Sequence, residues 1–156
     1  MSSDRPTRET VTMSSRNKVK DDVFMLVARD LSLLGTCDRA KVGAVLTRDG
    51  RCVSWGFNGA PPGLPHCSEN DHGWAPDVAK HTAGCRNATH AEANALAFAA
   101  RQGISTDGAT LYVTVSPCDT CSRLLIAAGI NRVVYDALYR DHTGLDLLLA
   151  AGIDIL

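Results

Sequence analysis

The sequence predicts an α/β protein, a three-layer α/β/α sandwich built on a mixed five-stranded sheet. Asp49 and Gly50 join two runs rich in Val and aromatic residues, which is typical of an antiparallel hairpin. After this hairpin, short apolar runs alternate with segments of helical period, the order that places helices on both faces of a sheet. The 156 residues, of which 45% are hydrophobic, suffice for one domain with a sizeable core.

The N-terminal part predicts a tail and then a helix. Residues 1–17 are polar and lack an apolar period, so we expect a loose tail before a domain of residues 18–156. In the next segment, apolar side chains recur at helical spacing, at Val19, Val23, Leu26, Val27, Leu31 and Leu34. This predicts an amphipathic helix that ends near Gly35.

The remaining elements follow in order. Hairpin strands are predicted at about 41–47 and 51–57, and later strands at "ATLYVTV", "NRVVYDA" and "IDIL". Helices are predicted at about 90–102, at "PCDTCSRLLIAAG" and at "GLDLLLAAG". Residues 58–88 contain four prolines and four glycines without a sustained period, which suggests a functional loop or a second metal site.

The charge balance limits the partners. A formal net charge of -1 and a pI near 6.5 give no global attraction to nucleic acid or to an anionic membrane. We expect a cytoplasmic protein, because the chain has neither a membrane-length apolar run nor the apolar core of a secretory signal. In a reducing compartment, its six cysteines are more typical of metal ligands or buried thiols than of disulfides.

Two short motifs have the form of a metal site, "HAE" with His90 and Glu92, and "SPCDTC" with Cys118 and Cys121. Two cysteines three residues apart at a helix start present both sulfurs on one face. One His and two Cys would leave the fourth tetrahedral position of a zinc ion open, as in catalytic sites. Glu92 could then handle protons without ligating the metal.

The pattern H-x-E followed by P-C-x-x-C resembles the zinc-dependent cytidine deaminase superfamily. The segments "KVGAVL", "GFNGAPPG", "THAEANAL", "TLYVTVSPCDTC" and "AAGINRVVY", with the later Tyr139, are similar to deoxycytidylate (dCMP) deaminases over about residues 20–156. The resemblance implies zinc-dependent hydrolysis of dCMP to dUMP and ammonia, supplying dUMP for thymidylate synthesis. It implies that His90, Cys118 and Cys121 hold the zinc and that Glu92 moves the protons.

The same resemblance implies how the substrate is bound. The backbone N–H of Ala91 would bind the base carbonyl, and the carbonyl of Ser116 would contact the exocyclic amine. Asn58 would reach the sugar and Tyr139 the 5′-phosphate. These four residues are the substrate-binding candidates.

Relatives of this kind assemble as hexamers and are often activated by dCTP and inhibited by dTTP. In many of them an arginine stands where this chain has Pro62, so a plausible contact to an effector phosphate is missing. The turn of Asn58, Gly59 and Gly63 could still offer backbone N–H groups to an effector phosphate.

Three further cysteines could hold a second, closed zinc ion. Cys37, Cys67 and Cys85, with His66 as the fourth ligand, would tie down the long loop, in which His72 and His81 also lie. The alternative is three free buried thiols. Cys52 lies within a predicted strand and is interpreted as a small buried hydrophobic residue.

Other functions remain open. "PCDTC" alone also fits a thioredoxin-like redox pair, but such a pair has no use for the upstream "HAE". The same core would serve deaminases of dCTP, cytidine or tRNA adenosine. A non-catalytic zinc-containing nucleotide sensor is the alternative outside enzymes, and the free acid Glu92 argues against it.

Overall fold

The computed structural model describes residues 15–69, 85 and 87–156, and every statement below concerns those residues. Its helices are α1 (Ser15–Ser32), α2 (Ala91–Arg101), α3 (Asp119–Ala127) and α4 (Thr143–Ala150). Its strands are β1 (Gly43–Arg48), β2 (Arg51–Phe57), β3 (Thr110–Val115), β4 (Arg132–Ala137) and β5 (Asp154–Ile155). A short 3₁₀ turn, Cys67–Glu69, lies between β2 and α2.

The five strands form one mixed sheet in the order β2-β1-β3-β4-β5. Strand β1 is antiparallel to both β2 and β3, whereas β3, β4 and β5 run parallel. The parallel strands are linked through α3 and α4, as a crossover connection requires. The predicted mixed five-stranded sheet is confirmed.

The sheet separates two apolar cores, because successive strand residues point to opposite faces. On one face, Val45 and Tyr112 pack with Met25 and Ala28 of α1. The other face carries the larger core, which includes Leu46, Leu111, Val113, Ala95, Leu125 and Leu148. One helix therefore covers one face and α2, α3 and α4 cover the other, which confirms the predicted three layers.

The β1–β2 hairpin closes with the turn that the sequence predicts. Arg48 pairs with Arg51, so the loop has two residues. Both of these, Asp49 with φ 53° and Gly50 with φ 70°, have the positive φ of a type I′ turn. Asp and Gly tolerate this conformation better than most residues do.

Helix α1 differs from its prediction in two ways. It begins at Ser15, so residues 15–17 are helical and the predicted tail is three residues too long, while residues 1–14 lie outside the described part. The apolar stripe that predicts the helix also faces outward, with Val19, Val23 and Leu26 exposed by 59%, 48% and 55%. Among the described residues, no helix combines the length and apolarity needed to cross a membrane.

Gly56 of β2 allows α2 to lie directly on the sheet. A Cβ atom at Gly56 would lie 2.5 Å from the carbonyl oxygen of Ala91 and 2.6 Å from the backbone nitrogen of Ala95. Distances this short are forbidden to a side chain, so only glycine permits the contact. This close packing fixes the first turn of α2, where the candidate site begins.

Candidate metal centre and active site

Two helix N-termini meet at the candidate site. His90 is the N-cap residue of α2 and Cys118 the N-cap residue of α3, and both have extended backbones, with ψ 153° and 171°. Neither side chain caps its own helix, so both are free to point away from it. The positive ends of the two helix dipoles therefore converge where thiolates would gather.

The predicted ligands of the catalytic zinc lie together. His90 Nδ1 is 3.5 Å from Cys118 Sγ and 3.4 Å from Cys121 Sγ, and the three ligand atoms lie within 4.8 Å of one another. A tetrahedral zinc ion at about 2.3 Å from sulfur and about 2.1 Å from nitrogen places such atoms about 3.6 Å apart. The donor set and its spacing therefore fit zinc.

The electrostatics of this trio suit a bound cation. Hydrogen bonds from Cys121 and then from His90 lower the pKa of Cys118 to about 4, so this sulfur is a thiolate at neutral pH. The hydrogen bond with Cys118 in turn raises the pKa of His90. The hydrogen bond with Cys118 and burial raise the pKa of Cys121, so without a metal the negative charge is on the sulfur of Cys118. A thiolate is the form of cysteine that binds metal.

Glu92 is buried beside the trio without belonging to it. It is 4% exposed, and this burial raises the pKa of its carboxyl above the ordinary range. The group of three ligand atoms consists of His90, Cys118 and Cys121, and Glu92 is not among them. A carboxyl that does not ligate, held in a low-dielectric wall, is suited to accept and release protons.

His90, Cys118 and Glu92 line a cleft of about 280 Å³, whereas Cys121 is buried and is not a lining residue. The residues that line it are Cys37, Arg39, Ala40, Val42, Asn58, Cys85, Ala88, His90, Ala91, Glu92, Val115, Ser116, Cys118, Leu138, Tyr139 and Arg140. Of these lining residues, Glu92 is the only acid. The cleft is therefore a place where a small molecule can reach the metal ligands.

All four residues predicted to bind substrate line this cleft. Ala91 is the first residue of α2, where backbone N–H groups have no partner within the helix. Ser116 accepts a hydrogen bond from the backbone N–H of Tyr139 through its hydroxyl at 2.8 Å, which holds the loop after β4 against β3. Ser116 and Tyr139 are thus coupled, a link that the sequence does not reveal.

Asn58 has a structural task besides its place in the cleft. Its side-chain amide donates to the carbonyl of Ala40 and accepts from the N–H of Val42, each at 2.7 Å. Asn58 therefore fixes the segment between α1 and β1.

The predicted effector turn is short of free donors. The backbone N–H of Asn58 donates to Val42 and that of Gly59 donates to Thr89. Gly63 has a positive φ of 88°, and a Cβ atom added there would have no neighbouring atom within 4 Å. The fold therefore uses the N–H groups of Asn58 and Gly59 internally, and effector binding at the turn of Asn58, Gly59 and Gly63 stays a prediction.

A second group of sulfur atoms lies nearby. The Sγ atoms of Cys37, Cys67 and Cys85 lie within 4.8 Å of one another, with Cys67 and Cys85 at 3.3 Å. His66, the predicted fourth ligand, is not part of this group, and its backbone N–H donates to Glu69. We call Cys37, Cys67 and Cys85 the three-cysteine cluster.

Cys52 and the two loop histidines are the remaining sequence candidates. His72 and His81 lie outside the described residues. Cys52 is exposed rather than buried, because β2 is an edge strand and its side chain lies on the outer surface. The interpretation of Cys52 as a buried hydrophobic residue is therefore wrong.

Sequence reasoning missed two lining residues, Arg39 and Arg140. Arg39 is two residues after Cys37, and Arg140 follows Tyr139, with its guanidinium 5.4 Å from the centre of that ring. Proximity to predicted site residues was the available signal. Two positive side chains in one cleft indicate an anionic ligand.

Known proteins are similar to this chain in sequence. Residues 18–137 match the family model of the cytidine and deoxycytidylate deaminase zinc-binding region. The deoxycytidylate deaminase of Mycobacterium phage D29 is 43% identical over 74% of this chain and 92% of its own. That of Enterobacteria phage T2 is 33% identical over 88% of this chain and 91% of its own.

A solved structure is similar over almost the whole chain. The dCMP deaminase of cyanophage S-TIM5, in complex with dCMP and dUMP, superposes with a TM-score of 0.77 at 31% identity. The match covers 92% of this chain and 98% of the cyanophage protein. By its family match, its relatives and its fold, the chain belongs to the cytidine and deoxycytidylate deaminases.

Proposed function

We propose that this protein hydrolyses dCMP to dUMP and ammonia. The observation that carries the proposal is the buried carboxyl of Glu92 beside the trio of His90, Cys118 and Cys121 at the base of a cleft. Relatives at 43% and 33% identity are deoxycytidylate deaminases. The cyanophage structure with dCMP and dUMP supports the same substrate and product.

His90, Cys118 and Cys121 would hold one zinc ion, which supplies the Lewis acidity that makes water nucleophilic near neutral pH. Glu92 takes a proton from the attacking water and passes it to N3 of the cytosine. It then carries the second water proton to the amino group at C4, which departs as ammonia. Oxygen from water remains on C4, so cytosine becomes uracil and Glu92 is regenerated.

Backbone groups around Glu92 orient the base. The N–H of Ala91 would donate to the base carbonyl, and the carbonyl of Ser116 would accept from the amino group. Asn58 would contact the sugar and Tyr139 the phosphate. All four line the cleft, which supports these assignments.

The preference for a phosphorylated substrate over a nucleoside is supported by the charges in the cleft. Arg39 and Arg140 line it together with Tyr139. A guanidinium binds phosphate through charge-assisted hydrogen bonds, which are about twice as strong as neutral ones. Cytidine and deoxycytidine lack the phosphate and would be poorer substrates.

We also propose a second, structural zinc ion at the three-cysteine cluster. Three sulfurs within 4.8 Å match the ligand spacing of a closed site, for which zinc needs a fourth donor. Burial and hydrogen bonding from Cys85 and Cys37 raise the pKa of Cys67 to about 12, so without a metal this sulfur keeps its proton. Reduced thiols at both sites suit a cytoplasmic location.

We also propose that the protein self-associates into a homo-oligomer, a hexamer as in similar enzymes. Exposed apolar side chains support it, since Trp55 stacks with Phe57 of β2 and makes a tilted ring contact with Phe98 of α2, and both Trp55 and Phe98 are exposed. Such patches commonly mark interaction sites. Light scattering coupled to gel filtration measures the assembly, and a monomer would contradict it.

Control by dCTP and dTTP is tested by dCMP saturation curves with and without each nucleotide. Activation by dCTP lowers the substrate concentration at half-maximal rate. Superimposable curves would rule out regulation, in agreement with the internal use of the Asn58 and Gly59 N–H groups.

The proposed reaction is tested by ammonia release from the zinc-loaded protein with dCMP, dCTP, cytidine, deoxycytidine and adenosine in tRNA. We expect dCMP to give the highest kcat/KM. Faster release from another substrate would reassign the enzyme within the family. Release from none of them, with the fold confirmed by circular dichroism, would favour a nucleotide sensor.

A further inference from the structure

The segment that joins β4 to α4 carries part of the cleft wall. It consists of residues 138–142, of which Leu138, Tyr139 and Arg140 line the cleft. Tyr139 is half-buried and the other residues of the segment are exposed. Packing against the body of the protein therefore does little to hold this segment. We call residues 138–142 the β4–α4 segment.

One hydrogen bond fixes the middle of the β4–α4 segment. The backbone N–H of Tyr139 donates to the hydroxyl of Ser116 at 2.8 Å. Within the described part of the chain, the other hydrogen bonds of residues 138–141 are those that Asp141 accepts from Thr143, at the start of α4. The two ends of the segment are held by β4 and α4. Between these ends, the Ser116 hydroxyl is the hydrogen-bonded restraint on Tyr139 and on the neighbouring Arg140.

Ser116 is well placed to act as a fixed point. It is 3% exposed, and its backbone N–H donates to the carbonyl of Ala137 at 2.8 Å. Pro117 follows it, and the proline ring restricts the backbone there. Gly144 packs directly on the carbonyl of Pro117. The hydroxyl of Ser116 is therefore presented to Tyr139 from a rigid part of the fold.

We propose that the hydroxyl of Ser116 positions Tyr139 and Arg140 for the 5′-phosphate, so that this side chain sets the preference of the cleft for a nucleotide over a nucleoside. The inference rests on the proposed function, because it concerns the phosphate end of the same cleft. The backbone carbonyl of Ser116 serves the base, whereas its side chain serves the phosphate. Ser116 acts on the phosphate through Tyr139 and Arg140, so its hydroxyl is a positioning group.

The first test compares Ser116→Ala with Ser54→Ala. Ser54 is a matched control, because it is also buried and its hydroxyl also forms one hydrogen bond to the backbone, to Ala95 at 2.7 Å, but it does not line the cleft. Titration calorimetry of the zinc-loaded protein should show dUMP binding about 10-fold weaker in Ser116→Ala, with deoxyuridine binding unchanged. Ser54→Ala should change the binding of neither ligand.

The conservative variant Ser116→Thr keeps a hydroxyl and should retain most of the dUMP affinity. In steady-state assays with dCMP, Ser116→Ala should raise KM much more than it lowers kcat, because the groups at the base are kept. Binding of dUMP and deoxyuridine needs no turnover. A protein that prefers dUMP to deoxyuridine but releases no ammonia from dCMP would therefore refute the proposed function and leave the role of Ser116 intact.

A double-mutant cycle tests whether Ser116 acts through Arg140. In the Arg140→Ala background, Ser116→Ala should weaken dUMP binding much less than it does in the unmodified protein, because the arginine that it positions is already gone. In the Arg39→Ala background the full effect should remain, since Arg39 belongs to the segment before β1.

Amide hydrogen exchange of the unmodified protein tests the same bond without requiring any variant to fold. Among the described residues, the N–H of Tyr139 has a hydrogen-bond partner and those of Leu138 and Arg140 have none. Tyr139 should therefore exchange more slowly than its two neighbours. Saturating dUMP should slow the exchange of Tyr139 further, and saturating deoxyuridine should not.

Four results would overturn the inference. Equal weakening of dUMP and deoxyuridine in Ser116→Ala would show a general change of the pocket. Equal effects of Ser116→Ala and Ser54→Ala would show that any lost buried hydroxyl has this consequence. Additive effects of Ser116→Ala and Arg140→Ala would show that the hydroxyl does not act through this arginine. Exchange of Tyr139 that dUMP and deoxyuridine slow equally would separate the hydrogen bond from phosphate binding.

Discussion

The guanidinium of Arg132 donates two parallel hydrogen bonds to the carboxylate of Asp21, Nη1 to Oδ1 at 2.7 Å and Nη2 to Oδ2 at 2.8 Å. The hydroxyl of Tyr112 donates to the same Oδ1 at 2.7 Å. Asp21 is only 6% exposed. This buried network connects α1 to β3 and β4, and it explains why a charged residue occupies the inner face of α1.

Replacing Asp21 with Asn should therefore destabilise the fold at neutral pH. The ion pair with Arg132 holds the pKa of Asp21 below its ordinary value of 3.8. The pair therefore contributes its full free energy to folding at pH values above 3.8. It is lost as the pH falls through the lower pKa of the folded state. We expect Asp21→Asn to cost about 2 to 3 kcal/mol at pH 7 and progressively less below pH 4. Urea unfolding across this pH range measures the difference.

The matched control for this prediction is Asp136→Asn. Asp136 also forms two hydrogen bonds with an arginine, Arg29, at 2.6 and 2.9 Å, but the two side chains are 38% and 49% exposed. Exposed pairs contribute little because water screens them. If both variants lost the same stability, or if the Asp21→Asn cost were independent of pH, the buried-pair explanation would be wrong.

Gly144 links helix packing to the metal centre. A Cβ atom there would lie 2.1 Å from the carbonyl oxygen of Pro117 and 2.8 Å from the hydroxyl of Ser122. Gly144→Ala must therefore push α4 away from the Cys118 loop. We expect a loss of about 1 to 3 kcal/mol in stability and weaker retention of the catalytic zinc. Thermal unfolding and competition with a chelator measure the two effects.

Leu149→Ala is the control on the same helix, since Leu149 is 61% exposed. It should leave zinc retention unchanged. Zinc affinity in Gly144→Ala equal to that of the unmodified protein would show that the loop absorbs the displacement.

Local signals in the sequence predicted the parts of the structure that depend on neighbouring residues. Asp49 and Gly50 specify their turn through their own backbone preferences, and the spacing of Cys118 and Cys121 at a helix start brings both sulfurs into one ligand group. The strand and helix order followed from hydrophobic period. The mixed sheet and the three layers were accessible because connection rules leave few alternatives, whereas the order of the strands was not predicted.

Contacts between distant segments could not be predicted from the sequence. The exposed stripe of α1 could not be distinguished from a buried one, because apolar spacing shows that a face exists and not what covers it. Arg39 and Arg140 belong to different segments, and only the fold brings them into one cleft. The internal use of the Gly59 N–H depends likewise on its bridge to Thr89, 30 positions later.

Arg39→Ala and Arg140→Ala should reduce phosphate recognition. Each removes a guanidinium from the cleft, and a hydrogen bond to a charged group contributes about 1.5 to 3 kcal/mol. We expect kcat/KM for dCMP to fall about 10- to 100-fold with that for deoxycytidine nearly constant. Steady-state ammonia assays with both substrates give the comparison.

Arg101→Ala, at the exposed end of α2 and outside the cleft, is the control for lost positive charge. It should change neither substrate. A parallel loss for dCMP and deoxycytidine in the cleft variants would point to a damaged pocket rather than to phosphate binding.

Glu92→Gln should separate metal binding from proton transfer. Glutamine keeps the size of the buried side chain but cannot accept a proton from water, so kcat should fall by about 10² to 10⁴ while the zinc content stays that of the unmodified protein.

Asp119→Asn is the matched control, since Asp119 is the first-turn acid of α3 with a side chain 43% exposed. It should retain nearly full activity. Ammonia release and zinc analysis on the same preparations measure both properties. Loss of zinc together with activity in Glu92→Gln would make Glu92 a support of the metal site, whereas full turnover would mean that another group carries the protons.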